Sequence, residues 1–155
     1  MAASCRFAFA VHILSVLALK RNEGVTSEEL AGSVNTNPVV IRRIVSALQH
    51  AGLVATAKGA RGGVKLAAPA EQVSLRAVYR ALEAPPSLAG HRQKPNPRCP
   101  VGRKIEVVLD EVFASAQSAL EEALSHRTVA DVIETISDEC KSGTGAKQLR
   151  RHTSG

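Results

Sequence analysis

Val39, Arg42, Arg43, Ser46, Gln49 and His50 follow Pro38 at intervals that gather them on one side of a helix. A helix showing two adjacent arginines can enter a DNA major groove, about 12 Å wide, and donate to guanine edges or phosphates. Thr36 and Asn37, just ahead of that helix, suit phosphate contact at a helix start. Further on, Lys58 and Arg61 stand among Gly59, Gly62 and Gly63. Such a tip can lie over a minor groove, where a narrowed A·T tract concentrates negative potential. Glycines let the backbone approach phosphates without a side-chain clash. A third constellation is Cys99 amid Lys94, Arg98, Arg103 and Lys104, with no carboxylate among residues 91–104. Positive surroundings favour a thiolate, the form that oxidants attack. Taken singly, these groups also fit a solvated surface helix, a flexible loop and a cysteine filling a cap position.

Catalytic and metal-binding patterns are missing. No Walker loop, HExxH, GxSxG or paired CxxC occurs, and the five histidines are scattered. The expectation is no catalytic residue, no metal site and no enzyme. One tyrosine, three phenylalanines and no tryptophan leave little surface for stacking single-stranded bases.

The elements that would position these residues follow from periodicity and caps. Phe7, Val11, Leu14, Val16, Leu17 and Leu19 predict a first helix from Arg6 to Lys20. Thr26 and Glu29 form a capping-box pair that begins a short second helix ending near Val34. Pro38 suits the first position of a third helix, whose apolar stripe is Val40, Ile41, Ile44, Val45 and Leu48. Gly52 closes it. Two short extended runs, Leu53 to Ala57 and Val64 to Ala67, flank the glycine-rich tip and predict a hairpin. Three helices followed by a hairpin is the order of a winged helix-turn-helix domain. A further helix is expected from Ser74 to Glu83, then a loop holding five of the chain's seven prolines, Ala84 to Pro100.

From Val101 to Arg127 an uninterrupted pattern (Val101, Ile105, Val108, Val112, Ala116, Ala119, Ala123) predicts a helix roughly 40 Å long. That exceeds what a 155-residue monomer covers comfortably. Thr128 and Asp131 offer a cap for a last short helix to Ile136. The fold class is therefore mainly α. It comprises a winged helix-turn-helix domain over 5–84, a sensor loop over 85–100, dimerisation helices over 101–137 and a disordered tail over 138–155.

Hydrophobic residues at 45% and charged residues at 22% exclude a chain disordered throughout. The longest apolar stretch, Phe7 to Leu19, is broken by His12 and Ser15 and is too short to span a bilayer. Neither a membrane segment nor a secretory signal is expected. Three cysteines at distant positions, Cys5, Cys99 and Cys140, argue against a disulfide framework and for a reducing cytoplasm. The net charge of +6 is unevenly spread. Residues 1–66 and 91–104 are basic, residues 105–139 are acidic, and the tail is basic again. A basic amino-terminal half suggests a polyanion partner, double-stranded DNA above all.

The runs TSEELAGSVNTNPVVIRRIVSALQHAGLV, KGARGGVKLAAPAEQVSLRAVYRALE and HRQKPNPRCPVGRKIE resemble the Rrf-two family of bacterial transcriptional regulators, over residues 5–137. The most specific parts are NTNPVVIRRI, GARGG and NPRCPVG. The resemblance implies a homodimer built on the long helix, with two winged domains reading a palindrome whose half-sites lie about 34 Å apart. It implies that the helix over Thr36 to His50 reads the major groove and that Arg61 reaches the minor groove. DNA-contacting residues would be Thr36, Asn37, Val39, Arg42, Arg43, Lys58, Arg61 and Gly62.

Members that hold an iron–sulfur cluster place three cysteines in the stretch matching residues 90–108, where this chain has Cys99 alone. A four-ligand cluster needs more donors. His12 matches a ligand histidine of some relatives, but Ala8 stands where a carboxylate ligand can occur, and His12 is expected to pack within its helix. No cofactor is expected. Relatives with a single cysteine at this place include oxidant-responsive regulators, so Cys99 is the candidate redox sensor, with Cys5 or Cys140 as partner thiols. A winged-helix assembly module without DNA specificity, a thiol-dependent enzyme at Cys99, and a regulator sensing a bound metabolite or cluster stay open.

Overall fold

The Thr26 hydroxyl accepts a hydrogen bond from the Glu29 amide, and the Glu29 carboxylate accepts one from the Thr26 amide at 2.8 Å. This reciprocal cap starts α2 (Ser27–Val34). Asn35 ends α2 in the left-handed region, at φ 58° and ψ 55°, and turns the chain sharply. The Asn37 side chain then accepts from the Val39 amide at 2.8 Å and Pro38 occupies the first turn, which starts α3 (Pro38–His50). These local devices set the angle between the two helices.

The computed structural model describes residues 3–20, 23–59, 62–82 and 88–142. Around α2 and α3 stand α1 (Ala3–Leu19), a two-stranded antiparallel sheet of β1 (Val54–Ala57) and β2 (Gly63–Leu66), and a 3-10 turn over Ala70–Gln72. There follow α4 (Leu75–Ala81), α5 (Ile105–Ser125) and α6 (Val129–Ser142). In the sheet Val54 pairs with Leu66 and Ala57 with Gly63. Val25 adds an antiparallel bridge to Val64 on the other side of β2. Three helices and a wing form, as the spacing predicts.

Almost every face of α1 is apolar because α2, α3, α4, α6 and β2 all pack on it. Ala10, Ile13, Leu14 and Leu17 are buried there with Leu30, Ile41, Ile44, Leu48, Val78 and Val129. Burial of each large aliphatic side chain contributes roughly 1.5–3 kcal/mol. Buried Ser15 is satisfied by donating to the Val11 carbonyl at 2.8 Å.

The structure departs from the spacing in three places. The long helix begins at Ile105, not Val101, so it spans 21 residues and roughly 32 Å instead of 40. Residues 96–104 form a succession of turns, in which the Asn96 carbonyl accepts from the Cys99 amide and the Val101 carbonyl from the Lys104 amide. Gly102 is seated against that Asn96 carbonyl, where a β-carbon has no room. The last helix runs on to Ser142, so residues 138–142 are helical and Cys140 belongs to α6. The 3-10 turn was not foreseen. Residues 143–155 of the expected tail, 84–87 of the proline-rich loop and Glu83 of the expected fourth helix lie outside the described residues.

No helix among the described residues is long and apolar enough to cross a membrane. α5 contains no fully buried residue. Its half-buried side carries Leu109, Phe113, Gln117 and Leu120, and α5 packs on α4, where Gln117 donates to the Tyr79 hydroxyl at 3.2 Å and Arg80 to Glu121 at 2.8 Å. The adjacent side carries Val108 and Val112, 54% and 53% exposed, continued by Ala116, Ala119 and Ala123.

Candidate nucleic-acid interface

With Ile41, Ile44, Val45 and Leu48 pointing into the core, α3 leaves Val39, Arg42, Arg43, Ser46, Gln49 and His50 exposed. The periodicity therefore places six side chains on one surface. Val39 is 47% exposed, an apolar group suited to a thymine methyl. Arg43 makes no polar contact among the described residues and is free to reach a partner. The His50 ring donates from Nδ1 to the Ser46 carbonyl, 2.8 Å away, which fixes the ring against the last turn.

Asn37 and Thr36 flank the helix start. Asn37 already uses its Oδ1 to cap the Val39 amide, which leaves its side-chain NH2 for a phosphate. Thr36 is half-buried, with its amide bonded to the Ala31 carbonyl.

The wing is tied to this helix. Gln49 donates to the Thr56 hydroxyl at 3.2 Å, joining the end of α3 to β1. Lys58 is exposed at the tip. Gly62 donates to the Gly59 carbonyl at 2.8 Å, and a β-carbon on Gly62 would meet the Ala57 carbonyl at 2.5 Å. Only glycine closes that turn. Arg61 lies outside the described residues.

One residue that the pattern did not single out, Glu28, joins the surface. Arg42 donates to Glu28 of α2 at 2.9 Å. A hydrogen bond from its own amide, then the Arg42 guanidinium, hold the Glu28 carboxyl below the usual carboxylate range. Nothing local signals this contact, because the partners are fourteen positions apart. His12, expected to pack within its helix, is exposed and reaches Ser33 of α2, with 3.0 Å between Nε2 and Oγ. α1 thereby braces α2 at the surface instead of holding the histidine inside.

Cys99 stands apart from this surface in the chain. It is exposed, as are Cys5 and Cys140, and all three are free thiols. The spacing set Cys99 two residues ahead of a helix, but α5 starts six residues on. The helix dipole acts within the first turn, so it does not act on this thiol. What surrounds Cys99 is the turn itself: its amide donates to the Asn96 carbonyl and its carbonyl accepts from the Arg103 amide, both at 3.1 Å. Arg98, Arg103 and Lys104 are exposed around it.

A winged helix-turn-helix with a cationic outer face on its third helix defines a DNA-binding protein. The comparisons agree. A family model described as Rrf2, Iron-dependent Transcriptional regulator, matches residues 3–135, and the chain belongs to that family of DNA-binding transcriptional regulators, which are not enzymes. YwnA of Bacillus subtilis (strain 168), which bears the name of an HTH-type transcriptional regulator, is 43% identical over 128 residues, covering 83% of this chain and 94% of YwnA. A crystal structure described as that of a DNA-binding protein is 38% identical, with a TM-score of 0.67, covering 83% of this chain and 98% of that one. The B. subtilis regulator CymR is 33% identical over 86 residues, 55% of this chain and 62% of CymR.

The family's description names iron. Among the described residues no group of three or more His, Cys, Asp or Glu side chains is placed to hold a metal ion.

Proposed function

We propose that this protein is a cytoplasmic homodimeric repressor that binds a palindromic operator and responds to oxidants through Cys99. The observation that carries the reading is the outer face of α3, where Arg42 and Arg43 share one exposed surface with Val39, Ser46 and Gln49 beside the wing. In this reading Arg42, Arg43 and Val39 contact bases in the major groove. Thr36, Asn37, Lys58 and Gly62 hold phosphates, and Arg61 enters the minor groove.

Residues 5–84 act as the reading domain and 85–100 as the sensor loop. Residues 101–137 form the dimerisation helices, with the exposed Val108 and Val112 side of α5 covered by its copy. Two reading heads on one two-fold axis fit half-sites about one turn apart, ~34 Å. No cofactor takes part. Oxidation of the Cys99 thiol to a sulfenic acid by a peroxide, which is reduced to water or an alcohol, would disturb the turn ahead of α5 and with it the angle between the heads.

The test is fluorescence anisotropy with DNA from the protein's own upstream region at fixed salt, using reduced protein, peroxide-treated protein and a Cys99→Ser variant. Specific binding that oxidation weakens only when Cys99 is present supports regulator and switch together. Equal binding in all three discards the switch. Failure on every genomic site removes the operator reading.

A further inference from the structure

Of the two adjacent arginines on α3, the fold restrains Arg42 and leaves Arg43 unpaired among the described residues. Arg42 Nη2 lies 2.9 Å from Glu28 Oε1, with 58% and 65% of the two side chains exposed. Such an open ion pair contributes little to stability. The α2 cap does not need it either, because Thr26 and Glu29 close that cap by themselves. A carboxylate beside a surface that meets phosphates weakens attraction to every duplex. A negative charge in the first turn of α2 favours that helix, but this role does not require the reach to Arg42, and that contact needs another account.

A guanidinium carries five N–H donors in a rigid plane. One Nη2 hydrogen is taken by Glu28, so the plane is fixed from one side while the remaining donors stay available. We infer that Glu28 is a specificity-determining residue: it orients Arg42 toward the paired acceptors of a guanine edge and opposes its use on phosphate. When Arg42 bonds a base edge, the Glu28 contact can persist and the carboxylate stays neutralised. When Arg42 swings to a phosphate on unmatched DNA, Glu28 is left as an unpaired negative charge within reach of the backbone. The penalty thus falls on the wrong sequences. This inference rests on the reading of α3 as the DNA-contacting helix.

The experiment first enriches a duplex from a random-sequence library with the parent protein. Anisotropy then compares that duplex with a scrambled one of equal composition. The variants are Glu28→Gln, Arg42→Ala and the double change, with thermal unfolding as the fold control. Glu28→Gln should tighten binding to the scrambled duplex. It should also steepen the salt dependence there by about one unit, as a freed arginine neutralises one more phosphate. The ratio of selected to scrambled affinity should fall at least about fivefold, the lower end of what one bidentate arginine discriminates. In the Arg42→Ala background the same change should leave the ratio unaltered.

Glu28→Asp, which keeps the charge but shortens the reach, should lower the ratio without tightening the scrambled complex. An unchanged or raised ratio in Glu28→Gln, or an equal fall without Arg42, overturns the inference while leaving the regulator intact. If the parent enriches no sequence, the sequence-specific reading falls and Glu28 falls with it.

Discussion

Val25 and Val64 exchange both of their backbone hydrogen bonds, at 3.0 and 2.8 Å, so β2 is paired on both sides. The wing is thereby fastened to the chain entering α2 as well as to β1. Gly63 makes the fit possible. Its φ is 132°, and a β-carbon there would stand 2.7 Å from the Val25 amide nitrogen.

Gly63→Ala should therefore cost about 2 kcal/mol or more, through left-handed strain and the collision with Val25. Gly32→Ala is the matched control, since α2 has open space there and no unusual φ. That change should stabilise by roughly 0.5–1 kcal/mol on helix propensity. Urea midpoints measure both, and a Gly63→Ala midpoint equal to that of the parent would contradict the strained fit.

The exposed valines of α5 yield a test of assembly. Val112→Glu should give a monomer by sedimentation while leaving thermal unfolding of the reading domain nearly unchanged, because Val112 is already 53% exposed in the single chain. Operator affinity should drop steeply as the second half-site is lost. A variant that stays dimeric would move the interface elsewhere.

Arg43 and Arg61 should separate by what they read. Arg43→Ala should weaken binding and reduce the salt slope by about one unit if the arginine lies on phosphate. If it holds a guanine edge, the loss should instead concentrate at one base position, about 1–3 kcal/mol. Arg61→Ala should relax discrimination at A·T positions beside the half-site. Unaltered affinity and preference would remove the wing from the interface.

Stability should decline in acid through the two capping carboxyls. Glu29 and Asp131 are held below ordinary values, first by hydrogen bonds from the amides of Thr26 and Thr128 and next by their hydroxyls. A carboxyl with a lower pKa folded than unfolded stabilises above its unfolded value, about 4, and loses that contribution as pH falls through the folded one. Asp131→Asn should lower the unfolding temperature at pH 7, and its difference from the parent should shrink as pH falls below the unfolded value of about 4. A difference constant across that range would show that the charge plays no part.

These outcomes also separate what could be read from the chain and what could not. Thr26, Glu29, Asn37 and Pro38 act within three or four residues, so the α2–α3 turn and the face carrying Arg42 and Arg43 were legible from spacing. The apolar stripe of α3 needed only its period. The start of α5 was not legible. Val101 to Lys104 are compatible with a helix, and the turn there depends on the Asn96 carbonyl and the room above Gly102. Glu28 was missed because its contact to Arg42 exists only once two helices cross. His12 was misjudged because its partner, Ser33, is supplied by another helix. The extra turns of α6 bury little, so their polar sequence resembled a tail.

Ser74 and Thr128 are bridged, with Leu75 donating to the Arg127 carbonyl at 2.8 Å and Val129 to the Val73 carbonyl at 2.9 Å. The excursion through α4 and α5 is stitched at its base like a sleeve at the shoulder, and α4 itself stays on the body through buried Val78 and Leu82. Loop closure entropy grows so slowly with length that doubling such an excursion costs only about 0.6 kcal/mol. Residues added ahead of α5, away from the stitch, would lengthen the sleeve while α1 and α6 keep their places. A spacer or reporter inserted between residues 88 and 95 should leave the body folded, and that makes the segment a handle for watching the Cys99 turn from outside.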